Sequence, residues 1–100
     1  MNREPDKLNI SAGQRKVTEF LSSLGLIVES EREFGSYRVD CYLPELKTVV
    51  EFDGPWMHHS IRRETLRDVA LRTLGVKRVL HVSGTSKVEL EELKKELKDG

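Results

Sequence analysis

Asp40, Glu51, Asp53, His58 and His59 all lie between positions 40 and 59 of this chain. Carboxylate oxygens are hard ligands, and two or three of them held together suit Mg²⁺ or Mn²⁺. An imidazole beside them could move a proton near neutral pH. A metal with acids on one side and a proton carrier on the other is the equipment of metal-assisted hydrolysis. The competing reading of the same residues is plain: solvent-facing acids on an amphipathic hairpin, followed by two exposed loop histidines.

The elements around these residues decide between the readings. YRVDCYL (37–43) and TVVEFD (48–53) carry β-branched and aromatic residues and read as strands joined by a turn at Pro44-Glu45-Leu46-Lys47. With the turn centred on Glu45-Leu46, Asp40 faces Glu51 and Arg38 faces Asp53. Alternation then puts Arg38, Asp40, Tyr42, Val49, Glu51 and Asp53 on one face, and Val39, Cys41, Leu43, Val50 and Phe52 on the core face. Like charges directly opposite destabilise a hairpin, and close carboxylates raise each other's pKa unless a cation sits between them. The arrangement invites a metal, on the condition of that register, since a slip of one residue removes the pairing.

Upstream, Ser11 and Gln14 form a capping box, Val17, Phe20, Leu21 and Leu24 recur at helical spacing, and Gly25 ends the helix. LIVESEREF (26–34) reads as a strand turning at Gly35-Ser36. Downstream, a helix is expected from about Ser60 to Leu74 on a stripe of Ile61, Leu66, Val69 or Ala70, and Leu74, with Gly75 as its stop. KRVLHV (77–82) reads as a strand. Ser86 and Glu89 form a second capping box before an amphipathic helix carrying Val88, Leu90, Leu93 and Leu97. The order α-β-β-β-α-β-α predicts an α/β sandwich around a central mixed sheet. Residues 1–10 read as a flexible leader and 11–100 as one domain.

Composition removes several classes of function. A lone cysteine, Cys41, allows no internal disulfide, and its core-facing position argues against a nucleophile. There is no Gly-rich phosphate loop, no structural-zinc spacing, no apolar run long enough for a membrane span and no secretory signal, so a cytoplasmic protein is expected. Net charge is zero, from 17 basic and 17 acidic residues, but residues 59–78 hold 6 basic and 2 acidic ones. A local basic face can bind phosphates in a neutral protein, and a solvated helix face is the alternative.

YRVDCYLPELKTVVEFDGPWMHH followed by ETLRDVALRTLGVKRVLHV resembles the PD-(D/E)XK restriction-endonuclease-like superfamily over roughly residues 11–83. The nearest branches are the very-short-patch-repair endonucleases, their homing-endonuclease relatives, and the RAP domain. The resemblance implies an αβββαβ core, here with an added C-terminal helix, and metal-dependent phosphodiester hydrolysis. It implies that Asp40 is the metal-binding aspartate and Glu51 the acid of the (D/E)XK element. Asp53 stands where the usual lysine would be, a departure. It further implies that the Phe52 carbonyl assists the metal, that His58 is the general base or acid, and that His59 is its reserve. The glutamate that branch members carry on the first helix aligns with Gln14, and Glu19 is a less well aligned substitute.

A metal-dependent DNA endonuclease or nickase using Mg²⁺ or Mn²⁺ is therefore the expectation. Arg62, Arg63 and Arg67 would neutralise backbone phosphates, unless Glu64 and Asp68 take them into helix pairs, and Trp56 would stack or wedge, unless it caps the core. The RAP likeness supplies the alternative, a non-catalytic RNA-binding module; a third possibility is an interaction subunit docking through helix 86–98. A homodimer or a partner protein would supply specificity.

Overall fold

The computed structural model describes residues 11–53 and 66–99. The expected leader, residues 1–10, and the segment 54–65 lie outside the described residues. The elements are α1 (Ala12–Ser23), β1 (Glu29–Phe34), β2 (Tyr37–Leu43), β3 (Thr48–Phe52), α2 (Leu66–Thr73), β4 (Arg78–Val82) and α3 (Lys87–Asp99). The strands form one mixed sheet in the order β1-β2-β3-β4. The first three are antiparallel neighbours and β4 runs parallel to β3.

Local chemistry sets the helix ends. The Ser11 hydroxyl accepts from the Gln14 N–H at 3.0 Å, which satisfies one of the orphan donors at the start of α1. At the other end Gly25 takes a φ of +87°, which costs a residue without a Cβ little. The second capping box closes in both directions: the Glu89 N–H donates to the Ser86 hydroxyl, and the Ser86 N–H and hydroxyl donate to the Glu89 carboxylate. Those bonds hold the Glu89 carboxyl below its ordinary range.

The sheet is apolar on both faces. Cys41, Leu43, Val50 and Val82 pack with Val17 and Leu21 of α1 and with Leu93 and Leu97 of α3. On the opposite face Phe34, Val39, Tyr42 and Val49 pack with Leu71 of α2 and Val76. Helices on both sides of a mixed sheet are the α/β sandwich that the order of elements predicts. Among the described residues no helix is long and apolar enough to cross a membrane.

Two expectations about faces need correction. Val39 belongs to the Tyr42–Val49 layer, not the Cys41 layer. Strict alternation is interrupted at Asp40, whose carboxylate reaches the β3 backbone. In α2 the buried positions are Asp68 and Leu71, whereas Leu66, Val69 and Leu74 of the expected apolar stripe are exposed. The helix is turned so that Arg67 and Asp68 face the sheet, and the polar contacts they make there override the apolar pattern. In α3, Leu93 and Leu97 are buried as expected, but Val88 is exposed.

Candidate active site

The site begins where regular pairing between β2 and β3 stops. The ladder runs Leu43↔Thr48, Tyr42↔Val49, Cys41↔Val50, which is the register expected from a turn centred on Glu45-Leu46. Asp40 and Glu51 come next. Their side chains take over from the backbone: the Phe52 N–H donates to Asp40 Oδ2 at 2.8 Å, and the Asp40 N–H donates to Glu51 Oε2 at 3.2 Å. Each carboxylate thus fastens the other's strand.

The pairing does not continue to Arg38 and Asp53, which correct the expectation that they face each other. Arg38 instead makes ion pairs with Glu33 at 3.4 Å and Glu31 at 3.6 Å on the other side of β2. Asp53 leans to β4: its N–H donates to the Val82 carbonyl at 2.8 Å, and its Oδ2 lies 3.0 Å from His81 Nδ1.

Register places a row of polar groups across the sheet. Glu31 of β1 lies opposite Asp40, between the Ser30↔Cys41 and Arg32↔Val39 pairs; Glu51 follows on β3; His81 pairs with Glu51 on β4. Glu31 has a φ of +55°, the left-handed region that a residue with a Cβ rarely adopts. Its Oε2 accepts from Gln14 Nε2 at 2.6 Å, and Gln14 is itself buried. Such strain persists only where surrounding contacts hold it. The helical glutamine therefore reaches the acids indirectly, by holding Glu31. Glu19 is exposed on α1.

Electrostatics follow from this crowding. Burial pushes the Glu51 carboxyl up to about 6, and the neighbouring Asp40 charge adds to the rise. The Arg67 guanidinium pulls against both, with Nη2 3.2 Å from Glu51 Oε2 and 2.6 Å from the Arg38 carbonyl. Asp40 is raised as well, first by burial, then by Glu31 and Asp53, against the lowering effect of the Phe52 N–H and of Arg67. Arg67 is thus turned inward, onto the acids. Cys41 is fully buried with its thiol pushed up to about 11, mainly by burial, as suits a core residue and not a nucleophile.

His58, His59, Trp56, Arg62 and Arg63 lie outside the described residues, as does Gly54. Among the described residues no group of three or more carboxylate, imidazole or thiol side chains converges as a ready metal site. The reason is visible in the bonds: Asp40 is turned to the Phe52 N–H, Glu51 to Arg67, and Asp53 to His81. Asp40 and Glu51 are nonetheless adjacent, desolvated oxygen donors, with pKa values raised chiefly by burial. That donor set fits Mg²⁺, which is commonly held by one or two carboxylates and keeps several waters.

Two residues escaped the sequence reading. Glu31 carries no local signal, because its role depends on a left-handed backbone. His81 had a faint one: a histidine between Leu80 and Val82 in a strand that pairs with Glu51, although its side chain is partly exposed.

No protein-family model and no curated protein matches the chain. Among solved structures, the homing endonuclease I-Bth0305I catalytic domain is similar in fold. The match covers 86% of each chain with a TM-score of 0.53 at 19% sequence identity.

Proposed function

We propose that this chain is a metal-dependent nuclease that hydrolyses DNA phosphodiester bonds, a PD-(D/E)XK-type enzyme of the very-short-patch-repair and homing-endonuclease branch. The observation that carries the reading is the reciprocal bracing of Asp40 and Glu51, a half-buried and a buried carboxylate held side by side although burial raises both pKa values and the Asp40 charge raises that of Glu51 further. The two bonds satisfy backbone donors, but a pair of desolvated acids is a costly way to do so where neutral acceptors would serve. The fold similarity to a homing endonuclease catalytic domain supports it independently.

In this reading Asp40 and Glu51 hold the ion, with the Phe52 carbonyl and Asp53 as further oxygen donors. When bound, Mg²⁺ or Mn²⁺ supplies charge stabilisation at the scissile phosphate and lowers the pKa of water. The rest falls to the protein. Asp40 is fixed by the Phe52 N–H, so its carboxylate needs little reorganisation. Arg67 compensates Glu51, and with a cation held by the acids its guanidinium would be available for a phosphate oxygen. His58, or His59 in reserve, accepts or returns the proton. Arg62 and Arg63 bind backbone phosphates, which makes affinity fall with salt without specifying sequence. Trp56 stacks on the nucleic acid.

The test is supercoiled plasmid, single-stranded DNA and RNA, each incubated in EDTA, Mg²⁺ and Mn²⁺, beside Asp40→Asn. Metal-dependent nicking or linearisation lost in the variant is the expected result. No cleavage of any substrate in either metal would overturn the enzyme reading, and salt-dependent RNA binding under those conditions would favour the non-catalytic module.

A further inference from the structure

The row of polar groups ends on a histidine that the proposed chemistry does not use. His81 stands on β4 beside Glu51, with Nδ1 3.0 Å from Asp53 Oδ2 and Nε2 3.3 Å from Asp68 Oδ2. Asp68 comes from α2 and is buried. Three elements, β3, β4 and α2, are therefore joined through one imidazole.

We propose that His81 is a positioning residue, which orients the Asp53 carboxylate toward the metal through Nδ1 while Asp68 holds the ring through Nε2. The inference rests on the metal-dependent nuclease reading of the same site. Both ring nitrogens already have carboxylate partners, so His81 offers neither to a reacting group, and a role as proton carrier does not fit. Asp53 needs such a constraint. Its backbone is anchored by the bond to the Val82 carbonyl, but its side chain is 30% exposed and otherwise free to rotate. With Oδ2 committed to His81, Oδ1 is the oxygen that remains for a divalent cation. Asp53 stands two residues beyond Glu51, and its partner His81 pairs with Glu51 across β3 and β4, which keeps it at the same end of the sheet as the acid pair. Partners behind a ligand fix its orientation, and their loss typically costs about 10–100-fold in metal affinity or activity. In this chain the acid at position 53, which replaces a lysine of the resembled superfamily, thus forms one unit with His81 and Asp68.

The two ring nitrogens can be tested separately. The amide nitrogen of asparagine substitutes for Nδ1 and that of glutamine for Nε2. His81→Asn therefore keeps the bond to Asp53, and His81→Gln keeps only the bond to Asp68. The readouts are Mn²⁺ affinity by titration calorimetry, and kcat and KM for plasmid nicking, with Tm recorded for both variants. His81→Asn is expected to stay within about threefold of the parent in both readouts. His81→Gln should lose about 10–100-fold in Mn²⁺ affinity and in kcat with KM for DNA unchanged, matching Asp53→Asn. Equal behaviour of the two variants, whether both near the parent or both impaired in step with a lower Tm, would overturn the positioning role while leaving the nuclease reading intact. A parent protein that cleaves nothing would overturn the nuclease reading, and the Mn²⁺ titration would still decide His81. A parent that neither cleaves nor binds Mn²⁺ overturns both.

Discussion

Asp40 and Glu51 brace each other's strands: the Phe52 N–H ends on Asp40 Oδ2 and the Asp40 N–H ends on Glu51 Oε2. Two backbone donors that would otherwise be unpaired where β2 and β3 part are satisfied by acids. The same bonds that finish the sheet hold the carboxylates in place, so structure and proposed chemistry share the same atoms.

That sharing predicts different fates for two substitutions at one position. Asp40→Ala leaves the Phe52 N–H without its acceptor and should lower stability by about 1–3 kcal/mol. Asp40→Asn keeps an oxygen for the same bond and should fold with nearly the parent's Tm. Both should abolish the rise in Tm that Mg²⁺ or Mn²⁺ gives the parent by binding its native state. Thermal melts with and without metal check this; a metal-induced shift that survives in Asp40→Asn would remove Asp40 from the ligand set.

Glu51 predicts a stability that falls as pH rises. Its folded pKa, about 6, lies above its ordinary value of 4.5. The native state therefore binds the proton more tightly than the unfolded chain. That contribution is fully present below about pH 4.5 and is lost as pH rises through about 6. The difference between 4.5 and about 6 amounts to about 2 kcal/mol. Glu51→Gln, which cannot ionise, should be more stable than the parent by up to about 2 kcal/mol at pH 8 and no more stable at pH 4. Urea denaturation at the two pH values measures the difference. Added Mg²⁺ should narrow the gap at pH 8, because the ion favours the ionised parent. A gap at pH 8 no larger than at pH 4 would sink the idea.

Which parts of this were legible in the sequence follows from how far each signal reaches. The caps at Ser11–Gln14 and Ser86–Glu89 depend on residues three apart; the second box closed in both directions, while at the first only the Ser11 hydroxyl bond formed, because the Gln14 side chain goes to Glu31. The β2–β3 register was readable because a short turn and the apolar set Cys41, Leu43 and Val50 leave one alignment that buries them together. The orientation of α2 was not readable. Leu66, Val69 and Leu74 offered an apolar stripe, yet the helix turns Asp68 and Leu71 inward, because Arg67 and Asp68 find partners in Glu51 and His81 on strands far along the chain. Glu31 was hidden for a different reason: no side-chain pattern announces a glutamate in a left-handed conformation, and its partners, the Gln14 amide and the Arg38 guanidinium, lie on other elements.

Gly13 predicts a sign reversal. An alanine in a helix is ordinarily better than a glycine by about 1 kcal/mol. Here a Cβ at position 13 would overlap the Phe52 ring, which packs against α1 at that point. Gly13→Ala should therefore destabilise, by about 1–3 kcal/mol for an overpacked contact. Because the Phe52 N–H holds Asp40, the displacement should also weaken Mn²⁺ binding. Equilibrium unfolding and metal titration of the variant test both halves; a gain in stability would mean that the ring yields at no cost.

Arg67 should prove to be an electrostatic counterweight more than a strut. Its guanidinium lowers the Glu51 pKa against burial and the Asp40 charge, and also ties α2 to the Arg38 carbonyl of β2. Arg67→Gln removes the charge while leaving an amide that can still donate to that carbonyl. Glu51 should then titrate above 6, and Asp40, which Arg67 also lowers, should rise with it. Carboxyl ¹³C shifts followed against pH give both values directly. Arg67→Lys should restore the charge without the two-sided fork, bringing Glu51 back toward the parent value but leaving the Arg38 carbonyl less well held. If Glu51 titrates the same in the parent and in Arg67→Gln, the guanidinium does not compensate that carboxylate, and its release to a phosphate would have nothing to do with the arrival of a cation.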